Sequence, residues 1–225
     1  MHSPRYRRVT AAARRQSLIE ATLMCLRQYG HEGVSVRRIG LQAGVSPGLI
    51  NHHFPSMAQL IAAAYQSLAD SLLQSIHRYA TDTDASPRQR LSRFFQASFA
   101  PQLLDPKLFG AWLVFWSMVP HSPAVRRVHD RTYGEYRSTL ESLLRQLLRS
   151  ANLPAFRLRA AAISLAALLD GLWIEASLNP RTFKPAQAVG LCEDWISALC
   201  AGAFPRLRRA ATDGRKARKP VPTAR

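Results

Sequence analysis

Apolar residues return after three or four positions through most of the chain, and almost nowhere do they alternate with polar ones. A period near 3.6 belongs to amphipathic helices, so the pattern predicts an all-α fold. Prolines mark where the helices begin. The first helical turn accepts proline because its missing N–H would be unpaired there anyway, and a serine or aspartate before it can cap the exposed amides. Ser46-Pro47, Ser86-Pro87, Asp105-Pro106 and Ser122-Pro123 repeat this device, and Pro154 and Pro185 can open two more helices. Together these signals predict helices near residues 11–29, 36–43, 47–53, 57–80, 87–101, 106–118, 123–150, 155–178 and 186–202.

The first of these places Leu18, Thr22, Cys25, Leu26 and Tyr29 on one face, and Gly30 can end it at positive φ. Ser35 is a candidate cap for the second. Val36, Ile39, Val45, Leu49, Ile50 and Phe54 supply a candidate core for three short helices, with Gly44 relieving the bend between the second and third. This is helix-turn-helix spacing. The chain therefore divides into a basic arm (1–10), a three-helix domain of the helix-turn-helix kind that binds DNA (11–56) and a larger helical domain (57–204). A tail at 205–225 follows, whose Arg, Lys, Ala and Pro composition predicts disorder.

Charge sharpens this picture. Lys and Arg number 31 against 14 Asp and Glu, a formal +17. Residues 1–60 hold eight basic and two acidic side chains, and residues 206–225 hold eight and one, so both ends are suited to a polyanion. Cys25, Cys192 and Cys200 have no C-x-x-C spacing and are expected as buried free thiols. No signal-type apolar run follows the basic N-terminus, and no uninterrupted apolar segment approaches the roughly 20 residues of a membrane span, so a cytoplasmic protein without a span is expected.

If the third helix starts after Ser46, Ile50 and Phe54 face inward, while Ser46, Pro47, Gly48, Leu49, Asn51, His52 and His53 are left to meet a major groove. Asn51 offers a donor and an acceptor to a base edge, and His52 or His53 can contact base or phosphate. Gly48 permits close approach of backbone to phosphate. Arg14, Arg15, Arg37 and Arg38, with Arg5, Arg7 and Arg8 ahead of them, are better suited to phosphate than to base readout. A solvated basic face is the plain alternative for any one of these arginines.

The run Ile39-Gly40-x-x-Ala43-Gly44-Val45-Ser46-Pro47-Gly48-Leu49-Ile50-Asn51-His52-His53-Phe54-x-x-Met57-x-x-Leu60 resembles the helix-turn-helix signature of TetR-family regulators. Three positions depart from that signature. Gly40 stands for the usual alanine and is expected to soften its helix by ~1 kcal/mol. Asn51 replaces a tyrosine, and Met57 a lysine directed at the DNA backbone.

In the larger domain, Phe109, Trp112, Phe115 and Trp116 form an aromatic face, and Asp170 lies one turn from Trp173 in an otherwise apolar helix. A buried charge needs a partner, so Asp170 is expected to face a ligand, an arginine or solvent. Aromatic rings beside a carboxylate suit a quaternary ammonium, although such rings also commonly fill helical cores. Trp112-Leu113-x-Phe115-Trp116 and Leu168-x-Asp170-Gly171-Leu172-Trp173 resemble segments of the BetI-type, choline-responsive branch of the TetR family. That resemblance implies a homodimeric repressor of choline uptake and glycine betaine synthesis genes, relieved by choline or a related quaternary ammonium. It needs no cofactor and no covalent chemistry.

Leu165, Leu168, Leu169, Leu172, Trp195, Ile196 and Leu199, with Ile163, offer apolar surface for a four-helix dimer interface or for an intramolecular core. A TetR-type repressor of another amine or hydrophobic ligand is one alternative. A membrane-associated or architectural DNA-binding protein is another, using tail residues Arg206, Arg208, Arg209, Arg215, Lys216, Arg218 and Lys219. An enzyme is not expected. His31, His52, His53, His77, His121, His129 and Asp130 make no metal-ligand spacing, and Gly44-Val45-Ser46-Pro47-Gly48 lacks a strand before it. His121 and His129 are expected at the surface or an interface.

Overall fold

The computed structural model describes residues 10–80, 84–151 and 157–204. Arg5, Arg7, Arg8, Pro154 and the basic tail lie outside the described residues. Every regular element among the described residues is helical: α1 (Ala11–Tyr29), a 3-10 turn (Gly30–Gly33), α2 (Val36–Ala43), α3 (Pro47–His53), α4 (Met57–Ala80), α5 (Pro87–Ser98), α6 (Pro106–Met118), α7 (Pro123–Ser150), α8 (Leu158–Leu178) and α9 (Pro185–Cys200).

The capping chemistry explains most of the starts. Pro47, Pro87, Pro106, Pro123 and Pro185 each occupy the first turn of a helix. Ser86 accepts the Gln89 amide at 3.2 Å while Gln89 accepts the Ser86 amide at 2.9 Å, a reciprocal box that fixes the entry to α5. Ser35, Asp105 and Ser122 cap α2, α6 and α7 through their side chains. Ser46 differs from the expected cap, because its hydroxyl makes no capping bond and only its carbonyl receives the Leu49 and Ile50 amides.

The end of α5 and the placement of Tyr29 also differ from expectation. α5 stops at Ser98 rather than 101, because Pro101 disfavours helical backbone at the residue before it, and the chain turns through Ala100 with the Leu103 amide on the Ala100 carbonyl at 2.8 Å. Tyr29 does not join the inner face of α1. It lies exposed under the Arg38 guanidinium, 4.3 Å from the ring centre. The 3-10 turn depends on Gly33, where a Cβ would sit 2.7 Å from the Cys25 carbonyl carbon of α1. Cys25 and Cys192 are buried and Cys200 half-buried, all as free thiols.

Two apolar cores organise the molecule. In the first, Leu60, Ile61, Ala64, Tyr65 and Leu68 of α4 pack with Leu18, Cys25 and Leu26 of α1, with Phe54, and with Trp112 and Phe115 of α6. The predicted boundary after residue 56 is thus no gap in the packing. The second joins α5, the C-terminal half of α7, α8 and α9. Contrary to the sequence expectation, α8 is long and apolar enough to cross a bilayer, with 21 residues and a mean hydropathy of 1.5 in its most apolar window. Here it packs as a core helix, with Ala161, Ala162, Leu165, Ala166 and Leu169 buried against α7 and α9.

Candidate DNA-reading head and effector cavity

α2 and α3 are held at a fixed angle by a tight turn. Gly44 adopts left-handed backbone at φ 65°, and the Val45 amide donates to the Gly40 carbonyl at 2.9 Å. A Cβ on Gly40 would lie 2.9 Å from the Val45 carbonyl oxygen, so in this protein the glycine serves close packing of the turn. Ile39, Ile50 and Phe54 are buried beneath it. Ser46, Pro47, Gly48, Asn51 and His52 face outward, Leu49 and His53 are half-buried, and the space where a Cβ would stand on Gly48 is open.

The four arginines divide by what they touch. Arg15 donates to the His53 carbonyl at 2.9 Å and lies 4.0 Å above the Phe54 ring, tying α1 to the end of α3. Arg38 donates to the Glu32 carbonyl at 3.2 Å and covers Tyr29. Both therefore have bonds within the fold besides any they offer to phosphate. Arg37 is exposed and Arg14 half-buried.

A second site lies between α4, α6, α7 and α8, in a cavity of about 110 Å³. A single water needs only about 10–15 Å³ by the same measure, so the space takes a small organic molecule. Trp112, Trp116, Asp170 and Trp173 line it as expected. The Trp112 and Trp116 rings are 6.0 Å apart and those of Trp116 and Trp173 6.1 Å. The indole N–H of Trp173 donates to the Leu103 carbonyl at 2.9 Å, which fixes that ring. Phe109 and Phe115 are corrections to the predicted set, since both are buried behind the wall. Phe109 supports Trp173 at 5.2 Å, and Phe115 stacks on Tyr65 at 4.7 Å.

Sequence reasoning missed the tyrosines. Tyr65, Tyr133 and Tyr136 also line the cavity, and Tyr133 donates a hydrogen bond to the Asp170 carboxylate. Their signal lay in the recurrence of His129, Thr132, Tyr133 and Tyr136 at helical spacing, which marks one inward face of α7. His129, expected at the surface or an interface, is half-buried, with Nδ1 hydrogen-bonded to the Tyr65 hydroxyl at 2.9 Å. Burial lowers the His129 pKa, against the neighbouring Asp130 charge that raises it, and burial pushes Tyr65 up to about 12. Asp170 is raised by burial, while the Tyr133 bond pulls it partly back. It forms no ion pair among the described residues.

The predicted dimer face needs correction. Leu165, Leu169, Ile196 and Leu199 are buried inside the protomer, and Leu168, Leu172 and Trp195 pack half-buried against the same core. The large apolar residues exposed on α8 and α9 are Ile163, which the expected set included, with Leu178 and Leu191, at 44%, 60% and 46% exposure. Leucines at three- and four-residue spacing mark a buried face without saying which neighbour buries it, and for Leu165, Leu169, Ile196 and Leu199 it is the protomer's own core.

This architecture recurs in known regulators. Residues 18–64 match the family model described as bacterial regulatory proteins, tetR family, and residues 87–201 match the one described as BetI-type transcriptional repressor, C-terminal. The chain belongs to the TetR family, in its BetI-type branch. As a TetR-family member it is a helix-turn-helix, DNA-binding transcriptional repressor. The HTH-type transcriptional regulator BetI of Serratia proteamaculans is 32% identical over 85% of this chain and 95% of its own length. BetI of Pseudomonas fluorescens is 34% identical over 81% of this chain and 91% of its own. A structure described as a transcriptional regulator from Pseudomonas aeruginosa PAO1 is 47% identical, with a TM-score of 0.83 over 91% of this chain and 99% of that one. A regulator from Saccharomonospora viridis, solved in complex with choline, shares the fold of this TetR-family chain, with a TM-score of 0.68 and 22% identity over 83% of this chain and 96% of that one.

Proposed function

We propose that the protein works in the cytoplasm as a homodimer, repressing genes of choline uptake and glycine betaine synthesis, and that choline or a close quaternary ammonium relative relieves repression. The observation that carries the effector is the Asp170 carboxylate, set among Trp112, Trp116 and Trp173 with no ion-pair partner among the described residues. A quaternary ammonium supplies the missing charge without needing a hydrogen-bond acceptor, and indole faces stabilise it through their quadrupoles. An acyl chain in the same place would leave the Asp170 carboxylate without a countercharge. The curated relatives named BetI support the same reading.

Relief of repression requires only that the ligand prefer a spacing of the two reading heads that does not fit the operator. DNA must then weaken ligand binding by the same factor. Titration calorimetry with choline tests the effector, and a DNA-binding selection with and without choline reports operator symmetry and response together. Choline heat that falls at least tenfold in affinity in Trp116→Ala and Asp170→Asn supports the reading. Absence of heat in the wild type, or unchanged affinity in both variants, removes choline as effector.

One observation favours a second reading, a repressor of this branch that senses another amine. Identity to the Pseudomonas aeruginosa regulator, 47%, exceeds the 34% to Pseudomonas fluorescens BetI. The same calorimetry across other small amines separates the two.

A further inference from the structure

The reading helix depends on its neighbours. α3 has seven residues, and helices shorter than about 12 are marginal on their own. Its start has no side-chain cap, since the Ser46 hydroxyl makes no capping bond. Its end is held from α1. The Phe54 amide closes the last turn on the Ile50 carbonyl at 2.9 Å, and the Arg15 guanidinium donates to the carbonyl of His53, the final helical residue, at 2.9 Å. That carbonyl is one of the four a helix leaves without an internal partner, and a cation there also meets the negative end of the helix dipole. The same guanidinium lies 4.0 Å from the centre of the Phe54 ring, which is buried in the core beneath α3.

One planar group thus makes both contacts, and each fixes something different. The hydrogen bond holds the backbone at His53, whose ring packs edge to face with that of His52 at 5.2 Å. The ring contact holds the guanidinium itself against the core. We propose that Arg15 is a positioning residue for DNA reading, which acts through the end of α3 by setting how that helix lies on α1, and not as a phosphate contact. Arg15 thereby contributes to sequence specificity rather than to nonspecific, salt-dependent attraction. Lysine is no substitute, because an ammonium has no flat face to lay on the ring while it donates to the carbonyl. The inference rests on α3 as the DNA reader and is independent of the effector.

Arg15 is exposed and could meet a phosphate, so the experiment must separate the two roles. Variants of the full chain are titrated, over a range of salt, with a duplex recovered by DNA-binding selection and with an unrelated duplex. In Arg15→Lys and Arg15→Gln the preference for the selected duplex is expected to fall about tenfold, the scale of one lost base contact, while the slope of log affinity against log salt keeps its wild-type value. Without DNA, hydrogen exchange at the Phe54 amide is expected to quicken about tenfold. Unchanged exchange in α7 and α8 shows that both variants keep their fold. A phosphate contact behaves otherwise: Arg15→Gln weakens both duplexes alike and flattens the slope by about one per reading head, Arg15→Lys restores both, and exchange stays as in the wild type. That pattern, or an undiminished preference in both variants, overturns the role of Arg15 and leaves α3 as the reader. If the wild type selects no duplex, the DNA-reading role of α3 falls and this inference with it.

Discussion

Asp170 carries a pH signature that follows from its surroundings. Burial disfavours its charge and raises its pKa above the ordinary carboxylate value, and the Tyr133 hydroxyl opposes that in part. The folded protein therefore holds this proton to a higher pH than the unfolded chain does. Its contribution to stability is fullest below the ordinary value and is lost as the pH climbs through the raised one. A bound ammonium reverses the preference and favours the carboxylate, so binding releases a proton. The expected outcome is a cation affinity that weakens on acidification, starting above the ordinary carboxylate range, and a profile that flattens in Asp170→Asn. His129, one residue from Asp130 and joined to Tyr65, is the other group whose charging acts with the same sign. The slope that persists in the asparagine variant isolates its share. A wild-type affinity indifferent to pH would contradict the assignment of Asp170 as countercharge.

Among the elements, α4 decides how the cavity can speak to the reading head. Its first half is packed in one core with α1 and Phe54, and Tyr65 reaches from that half into the cavity wall and across to His129 of α7. Replacing Tyr65 by Phe keeps the ring stack on Phe115 but removes the bond to His129, leaving the Arg131–Asp70 ion pair at 2.9 Å as another polar tie between α4 and α7. The variant is expected to lose about 1 kcal/mol of stability and to bind choline nearly as the wild type does, while choline shifts its operator affinity less. Operator titrations with and without choline measure that ratio, and an undiminished ratio would remove the Tyr65–His129 bond from the coupling. Helix ends were legible in the chain because Ser-Pro and Asp-Pro pairs and Gly44 dictate local backbone. The three tryptophans and Asp170 were legible because a charge in an apolar helix needs a partner. Tyr133 and Tyr136 were not, since a tyrosine suits a surface, a core or a cavity equally and only the packing of α7 on α4 and α8 selects among them. The roles of Arg15 and Arg38 were hidden likewise, because their partners are backbone carbonyls brought near by folding.

At the scale of the whole molecule, one protomer offers one reading helix, and a palindromic operator needs two at fixed spacing. The face expected to pair them is the outward row of α8, where Ile163 and Leu178 flank Ala167 and Gly171, together with Leu191 of α9. Small residues at the centre of such a row let a second copy approach closely, and a two-fold axis there builds a four-helix interface. Gly171 gives the cleanest test, since a Cβ added to it meets nothing within 4 Å in the protomer. Gly171→Arg is therefore expected to leave the helical content intact, because arginine favours a helix more than glycine does, and to place a charge where the second copy would pack. Light scattering should then report half the wild-type mass, and operator affinity should fall at least a hundredfold as two linked contacts become one. Leu165→Ala, by contrast, opens a hole in the protomer's own core and is expected to cost about 2–5 kcal/mol of stability. A Gly171→Arg protein that keeps the wild-type mass and operator affinity would place the pairing surface elsewhere on the molecule.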